Sequence, residues 1–312
     1  MLKFQDDNEA TLIIHLRPSR QKAREVAIAE ILAVVRDLGG VRARGGPLSE
    51  IRGITWVGLP ESNTVRARSR LCRLGYTNAI DLVRPVTAGE IKVPQDAIKW
   101  KGRYIRLERI YDESDEHLRD MAPDRRTFLL ECGDGVVRPI QGYRGGQAPF
   151  EHRALPVVDA RLLVNLVFQP TCGVLLDPFA GAGGIIIEAR AAGWTTVSLD
   201  NDPALRFGLA ELADNHILGT STKLPLARGS VDAIASEPPY HPTGLDIVIT
   251  SIPEFARVLR LGGRISLLVA STQTEFVLAA AEKENLKLEL NEPINRKGTS
   301  VSCLCWVRCE PR

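Results

Sequence analysis

Long apolar runs are missing from this chain of 312 residues, and nothing in it approaches the ~20 consecutive apolar residues of a membrane-spanning helix. Its opening, Met1-Leu2-Lys3-Phe4-Gln5-Asp6-Asp7, lacks the layout of a secretory signal, so a cytosolic protein is expected. Cysteine is sparse. Cys72, Cys132, Cys172, Cys303, Cys305 and Cys309 include no CxxC pair and no clustered histidine, which argues against a disulfide framework and against a zinc site. Cys303 and Cys305 alternate with Leu304 and Trp306 as core thiols on a buried strand would. Nor do His15, His117, His152, His216 and His241 form a constellation with a nucleophile; only His241, beside Tyr240, falls near a chemically suggestive motif. An excess of one charge is also absent overall, with 40 Lys+Arg against 38 Asp+Glu. Residues 1–153 hold 26 basic and 21 acidic side chains (26 − 21 = +5), and residues 154–312 hold 14 and 17 (14 − 17 = −3). The basic front half suits a polyanion without identifying one.

What is present is ordinary globular composition, 44% apolar and 25% charged, over a length that fits roughly two domains. From Gly173 onward, short aliphatic runs alternate with helical ones through Gly, Pro or Asp, which is the pattern of a parallel sheet with helices on both faces. Strands are expected at 174–176, 195–199, 216–218, 231–235, 264–270, 286–290 and 301–308. Helices at 185–192, 204–214, 246–260 and 274–284 lie between them. The last two strands, joined through Asn295-Arg296-Lys297-Gly298, are close enough in sequence for an antiparallel hairpin. The front half reads as a smaller α+β domain, ferredoxin-like in outline, with strands at 11–16, 54–59, 104–110 and 127–131 and helices at 19–38 and 64–74. Glycines in Gln141-Gly142-Tyr143-Arg144-Gly145-Gly146-Gln147 mark a connection, so the domains are expected at 1–147 and 148–312, with a helix at 157–168 opening the second.

Two constellations carry chemistry. Asp177-Pro178-Phe179-Ala180-Gly181-Ala182-Gly183-Gly184 joins the first strand of the second domain to its helix, where open α/β sheets bind ligands. Gly181 and Gly183 let backbone approach a ligand. Asp200 ends the next strand, 23 residues after Asp177, and suits the hydroxyls of a ribose; Pro178 and Asn201 share these loops. A dinucleotide fingerprint would place its third glycine where Ile186 stands. The acidic start of the loop favours instead a cationic ligand such as S-adenosyl-L-methionine, whose ammonium Asp177 would engage directly or through water. The second constellation, Ser236-Glu237-Pro238-Pro239-Tyr240-His241, follows the fourth strand. Glu237 and a backbone carbonyl near Pro238 would accept hydrogen bonds from an exocyclic amine, and Tyr240 would stack on its flat base.

The stretch from Leu175 to Ala189 resembles motif I of the class I S-adenosylmethionine methyltransferases, most closely the THUMP-type tRNA guanine-N2 methyltransferases. Ala160-Arg161-Leu162-Leu163-Val164-Asn165-Leu166 and Arg296-Lys297-Gly298-Thr299-Ser300 are similar to a helix and the final hairpin of the same family. The resemblance covers about residues 150–312. It implies a Rossmann-like domain with an antiparallel final strand, S-adenosylmethionine as cofactor, no metal, and methylation of an RNA base amine, guanine N2 of tRNA above all. DNA adenine-N6 or cytosine-N4 methylation and a non-catalytic RNA-binding module are the alternatives. Two positions depart from the family: Glu237 replaces the aspartate of DPPY, and Thr220 stands where an aspartate usually holds the adenine amine. An RNA-facing element is expected on the helix carrying Arg66, Arg70 and Arg73 on one side, with Arg68 beside them. Arg103, Arg106 and Arg109, on a strand, would not all share a face.

Overall fold

The structure, a computed structural model, describes residues 9–86, 96–112, 127–131, 134–141, 155–296 and 299–310. It divides into two units, Met1–Glu116 and His117–Arg312. The glycine-rich connection at 142–147 lies outside the described residues.

In the first unit the chain runs β1 (Glu9–Leu16), α1 (Arg24–Val35), β2 (Val41–Ala43), β3 (Ile54–Pro60), α2 (Thr64–Leu71), β4 (Thr77–Pro85), β5 (Ile98–Trp100) and β6 (Arg103–Asp112). The sheet order is β2-β3-β1-β4-β6-β5, with every neighbouring pair antiparallel. β3 is inserted between β2 and β1, and β1 between β3 and β4. The units β1-α1-β2 and β3-α2-β4 are therefore interleaved split βαβ motifs, the ferredoxin-like arrangement, extended at one edge by the β5–β6 hairpin. Period-two alternation on β1 puts Ile13 with Ile54 and Trp56 on one face while its neighbours Leu12 and Ile14, also buried, point to the other. Strand β4 was not expected from the sequence. It carries Asp81 in its centre, a buried carboxylate that receives His15 Nε2 at 2.7 Å and Arg109 Nε at 2.5 Å, so its polar residue is satisfied by the sheet rather than marking a turn. Part of the arginine face on α2 is internal too: Arg70 donates to Asp37 at 2.5 and 3.1 Å and to the Val34 carbonyl, holding α2 to α1. Arg66 and Arg68 are exposed.

The second unit begins with a hairpin of β7 (Thr127–Glu131) and β8 (Val137–Gln141), then α3 (Val157–Leu166), β9 (Val174–Asp177), α4 (Gly184–Ala191), β10 (Thr195–Asp200), α5 (Arg206–Leu212), β11 (Asn215–Leu218), β12 (Val231–Ser236), α6 (Leu245–Val258), β13 (Leu259–Ala270), α7 (Thr274–Glu282), β14 (Leu286–Arg296) and β15 (Thr299–Arg308). The hairpin explains why the division falls upstream of the 147/148 boundary read from the sequence: Leu130 is buried with Ala180, Leu205 and Leu209, and Arg206 pairs with Glu131 at 2.9 Å. Seven strands form a sheet in the order β11-β10-β9-β12-β13-β15-β14, parallel except for β15. The antiparallel final strand expected from the sequence is present. Leu176, Ile234, Ile265 and Leu267 pack with Val248, Ile252 and Phe255 of α6 and Val277 of α7 on one face. On the other face Ser266 donates to the Leu163 carbonyl of α3 at 2.8 Å. The strand β13 starts earlier than expected and runs through Gly262, whose φ of 73° accompanies a register shift against β12.

Helices α3 and α4 are joined by a fully desolvated ion pair, Arg161 Nε to Glu188 at 2.9 Å, with the side chains 5% and 0% exposed. Removing one partner leaves the other charge buried without this ion pair. Glu188→Ala is expected to destabilise the second unit by about 3–5 kcal/mol, read as a lower urea midpoint with an unchanged slope.

Candidate active site

The chain leaves β9 toward β10 and β11 on one side, then returns to continue through β12 and β13 on the other, so the connection order reverses between β9 and β12. These two strands are parallel neighbours, pairing Leu175 with Ala233 and Leu176 with Ile234. Their carboxyl ends must therefore emerge side by side, and a crevice opens at such a switch point. Both sequence constellations sit there. Ser236 Oγ donates to Asp177 Oδ1 at 2.6 Å across 59 residues of chain, fastening the glycine loop to the Glu-Pro-Pro-Tyr loop.

The glycine loop is shaped by its own backbone. Gly181 and Gly183 have φ of 50° and 81°, in the left-handed region that a side chain disfavours. A Cβ at Gly183 would lie 2.7 Å from Leu212 Cδ1, while one at Gly181 would meet nothing within 4 Å, so the loop is packed on its inner side and open at Gly181. Ala180 N–H donates to the Leu199 carbonyl at 3.0 Å, and Gly181 N–H donates to Asp200 Oδ2 at 2.8 Å, holding the loop against the end of β10. Phe179 meets Phe255 edge to face at 6.3 Å. Pro178 is buried, and Asn201 and Thr220 are exposed at the ends of β10 and β11, where Gly219 N–H reaches the Asp200 carbonyl at 3.0 Å. Thr220 Oγ1 meets Thr222 Oγ1 at 2.9 Å and receives the Thr222 N–H at 3.3 Å.

Asp177 is only 1% exposed, and its second contact is the Phe179 N–H at 3.2 Å. Burial pushes its carboxyl up to about 7, against the two hydrogen bonds that favour the charged form. Its place is thus beneath the loop, tying the Phe179 backbone to the Ser236 side chain. Asp200 is half-buried, with Oδ2 accepting the Gly181 N–H at 2.8 Å and Oδ1 the Asp202 N–H at 3.0 Å.

In the second loop, Pro238 is buried, Pro239 is exposed, and the Pro239 carbonyl receives Gln273 Nε2 at 3.1 Å. Tyr240 Oη donates to Glu237 Oε1. Arg296, at the end of β14, donates from Nη1 to the same Oε1 at 2.5 Å, and its Nε lies 3.2 Å from Asp159 of α3, which is fully buried. Desolvation raises the Glu237 carboxyl, with the Arg296 charge and the hydrogen bonds from Tyr240 and Arg296 opposing it. Burial and the neighbouring Glu237 raise Tyr240 far above an ordinary phenol, so its hydroxyl stays a donor. His241 is exposed and caps a turn, its Nδ1 accepting from Thr243 N–H at 3.3 Å. The structure thus joins Asp177, Gly181, Gly183, Asp200, Glu237, Pro238 and Tyr240 along one edge of the sheet. It adds Asp159, Ser236, Gln273 and Arg296, to which sequence reasoning assigned no site role. The signal for two of them was available: a carboxylate inside the apolar first turn of α3, and an arginine ending a strand that returns to the switch point.

Because the folded Asp177 carboxyl binds its proton more tightly than an unfolded one, its contribution to stability is complete below about pH 4 and lost as pH rises through about 7. Asp177→Asn, which keeps the acceptor for Ser236 without the charge, is expected to raise the melting temperature relative to wild type more at pH 8 than at pH 5. Equal effects at both values would contradict a buried carboxyl titrating there.

No protein-family model matches the chain. A curated relative, the tRNA (guanine(10)-N2)-dimethyltransferase of Methanothermobacter thermautotrophicus, is 29% identical over 144 residues, 44% of this chain and 37% of that protein. An uncharacterized methyltransferase of Mycobacterium tuberculosis is 29% identical over 185 residues, covering 58% of this chain and 65% of its own length. A 33% match over 121 residues to the acetylornithine aminotransferase of Shewanella oneidensis covers 38% of this chain and 26% of that protein. The chain therefore spans less than two thirds of each of these relatives. Among solved structures, a T. thermophilus 16S rRNA N2 methyltransferase in complex with AdoMet and guanosine aligns at 20% identity with a TM-score of 0.38, over 61% of this chain and 47% of that one. With its strand order, its antiparallel last strand and its glycine turn at the switch point, the second unit carries the fold of the class I S-adenosylmethionine-dependent methyltransferases.

Proposed function

We propose that this protein transfers a methyl group from S-adenosylmethionine to an exocyclic amine of an RNA base, guanine N2 of tRNA foremost. The observation that carries the reading is the Ser236–Asp177 hydrogen bond, which sets a glycine turn built for close approach beside a loop offering acceptors for an amine. When bound, S-adenosylmethionine supplies an electrophilic methyl on a sulfonium. Asp200 and the N–H of Gly181 line the opening for a ribose, Asn201 and Thr220 flank it, and Gly183 lets the turn seat on Leu212. Asp177 acts from below, fixing the loop that meets the donor.

The amine's lone pair is delocalised into its ring and is a weak nucleophile until its N–H groups are held. Glu237 and the Pro238 carbonyl accept those hydrogens, moving electron density toward nitrogen as the N–CH3 bond forms and the S–CH3 bond breaks. The proton lost from nitrogen passes to Glu237 or to water. Tyr240 provides the stacking surface, and positioning and acceptor placement supply the rate. A paired or stacked base must first be turned out to reach it.

Incubation with methyl-labelled S-adenosylmethionine and either tRNA or duplex DNA, followed by nucleoside mass spectrometry, tests the reading. N2-methylguanosine in the tRNA arm is expected; label only in the DNA arm would replace it with the DNA amino-methyltransferase alternative. Calorimetry with S-adenosylmethionine alone separates both from a non-catalytic module that binds no cofactor. Asp177→Ala is expected to abolish cofactor binding. Tyr240→Ala should leave cofactor affinity unchanged and lower kcat/KM by about 5- to 150-fold, the ~1–3 kcal/mol of one stacked base. Equal losses of cofactor affinity in the two variants would refute the division into two loops.

A further inference from the structure

Glutamate at position 237 is one methylene longer than the aspartate its loop resembles, and a longer side chain has an extra torsion to settle before it can present an oxygen to a substrate. In the structure that freedom is removed from outside the loop. Arg296 Nη1 and Tyr240 Oη both donate to Oε1 of Glu237, and Arg296 Nη1 also lies 3.1 Å from Tyr240 Oη, closing a three-membered ring of contacts. Every side-chain hydrogen bond and ion pair that Glu237 makes among the described residues falls on Oε1, so Oε2 is the oxygen left for a substrate amine. Arg296 is itself anchored: its side chain is 14% exposed, and its Nε faces Asp159, whose carboxylate is completely buried on α3. The chain thus holds Glu237 from α3 through the end of β14.

We propose that Arg296, seated on Asp159, is the positioning residue that lets Glu237 act as the amine acceptor, pinning Oε1 so that Oε2 is presented to the substrate. The proposal rests on the amine-methylating reading and names a residue outside both loops on which that reading depends. The groups around Glu237 are Arg296 from β14, Asp159 from α3, Tyr240 from its own loop and Asp177 from β9. Of these only Arg296 is cationic. Desolvation and the Asp159 carboxylate favour protonated Glu237, so the guanidinium also favours the charged form, the stronger acceptor for an N–H.

Arg296→Gln and Arg296→Lys are compared with wild type in the full-length protein. For Arg296→Gln, kcat on tRNA at saturating S-adenosylmethionine is expected to fall by about a hundredfold, as for a small misplacement of a reacting group. Cofactor affinity should be unchanged, and the acid limb of the pH profile should move up by about one unit. Arg296→Lys, which keeps the charge and loses the fork, should keep the acid limb near its wild-type position and recover part of kcat. Glu237→Asp in the Arg296→Gln background should then raise kcat, because the shorter side chain needs no external grip. In wild type the same change should lower it, because aspartate falls short of Arg296. An unshifted acid limb, a cofactor affinity that falls as far as kcat, or additive effects of the two substitutions would overturn the proposal. Titration of the carbon-13-labelled Glu237 carboxyl by NMR reads the same grip without turnover. A higher titration point in Arg296→Gln than in wild type is expected, and identical curves would overturn the proposal. Wild-type protein that methylates neither RNA nor DNA would defeat the functional reading, while this titration would still decide the role of Arg296.

Discussion

A single hydrogen bond between two strand ends, Ser236 to Asp177, is the constraint on which the site depends. Parallel pairing of β9 and β12 brings the two loops to one edge, but a sheet only delivers its strand ends to within a strand spacing of one another. Closing that gap takes a short polar contact, and a carboxyl in a place 1% open to water supplies it. The same burial raises the carboxyl toward neutrality, so the tie is a hydrogen bond between poorly solvated partners and is correspondingly sensitive to losing either one.

Several charged side chains in both units are used inward. In the first unit Asp81 gathers His15 and Arg109 on a sheet face, Glu30 accepts the N–H groups of Gly75 and Tyr76, and Arg70 spends its fork on Asp37. In the second, Arg161 and Glu188 join two helices, and Asp159, Arg296 and Glu237 run from a helix to the Glu-Pro-Pro-Tyr loop. A count of basic residues in the front half therefore overstates what is available to a polyanion. Arg66 and Arg68 remain exposed on α2, whereas Arg70 and Arg109 are engaged by carboxylates.

The substitution of glutamate for aspartate in the Pro-Pro-Tyr loop has a structural counterpart. A longer acceptor could swing away from a substrate, yet Glu237 is held at one oxygen by a tyrosine three residues on and an arginine 59 residues on. Holding one carboxylate oxygen with two donors leaves the direction of the other determined by geometry. This is the way a flexible side chain is made to serve as a fixed one: its torsions are settled by partners that are themselves buried.

Local pattern was enough to place the second unit's sheet, the glycine turn, the Pro-Pro-Tyr loop and the antiparallel hairpin, because runs buried on both faces and glycines at strand ends leave a mark within a few residues of chain. β4 left no such mark, since Asp81 in its centre reads as a turn residue until its partners on β1 and β6 are known. The 127–141 hairpin likewise took its membership from Leu130 packing on α5, a contact with no local signature. The tertiary structure alone decided that Asp177 lies under its loop, that Ser236 binds it, that Arg296 reaches Glu237 and that Asp159 holds Arg296. Those contacts join residues up to 137 positions apart in the order of the chain (Asp159 to Arg296, 296 − 159 = 137), and the physical reason is that hydrogen bonds and ion pairs depend on distances of about 3 Å in space, which no spacing along a sequence encodes.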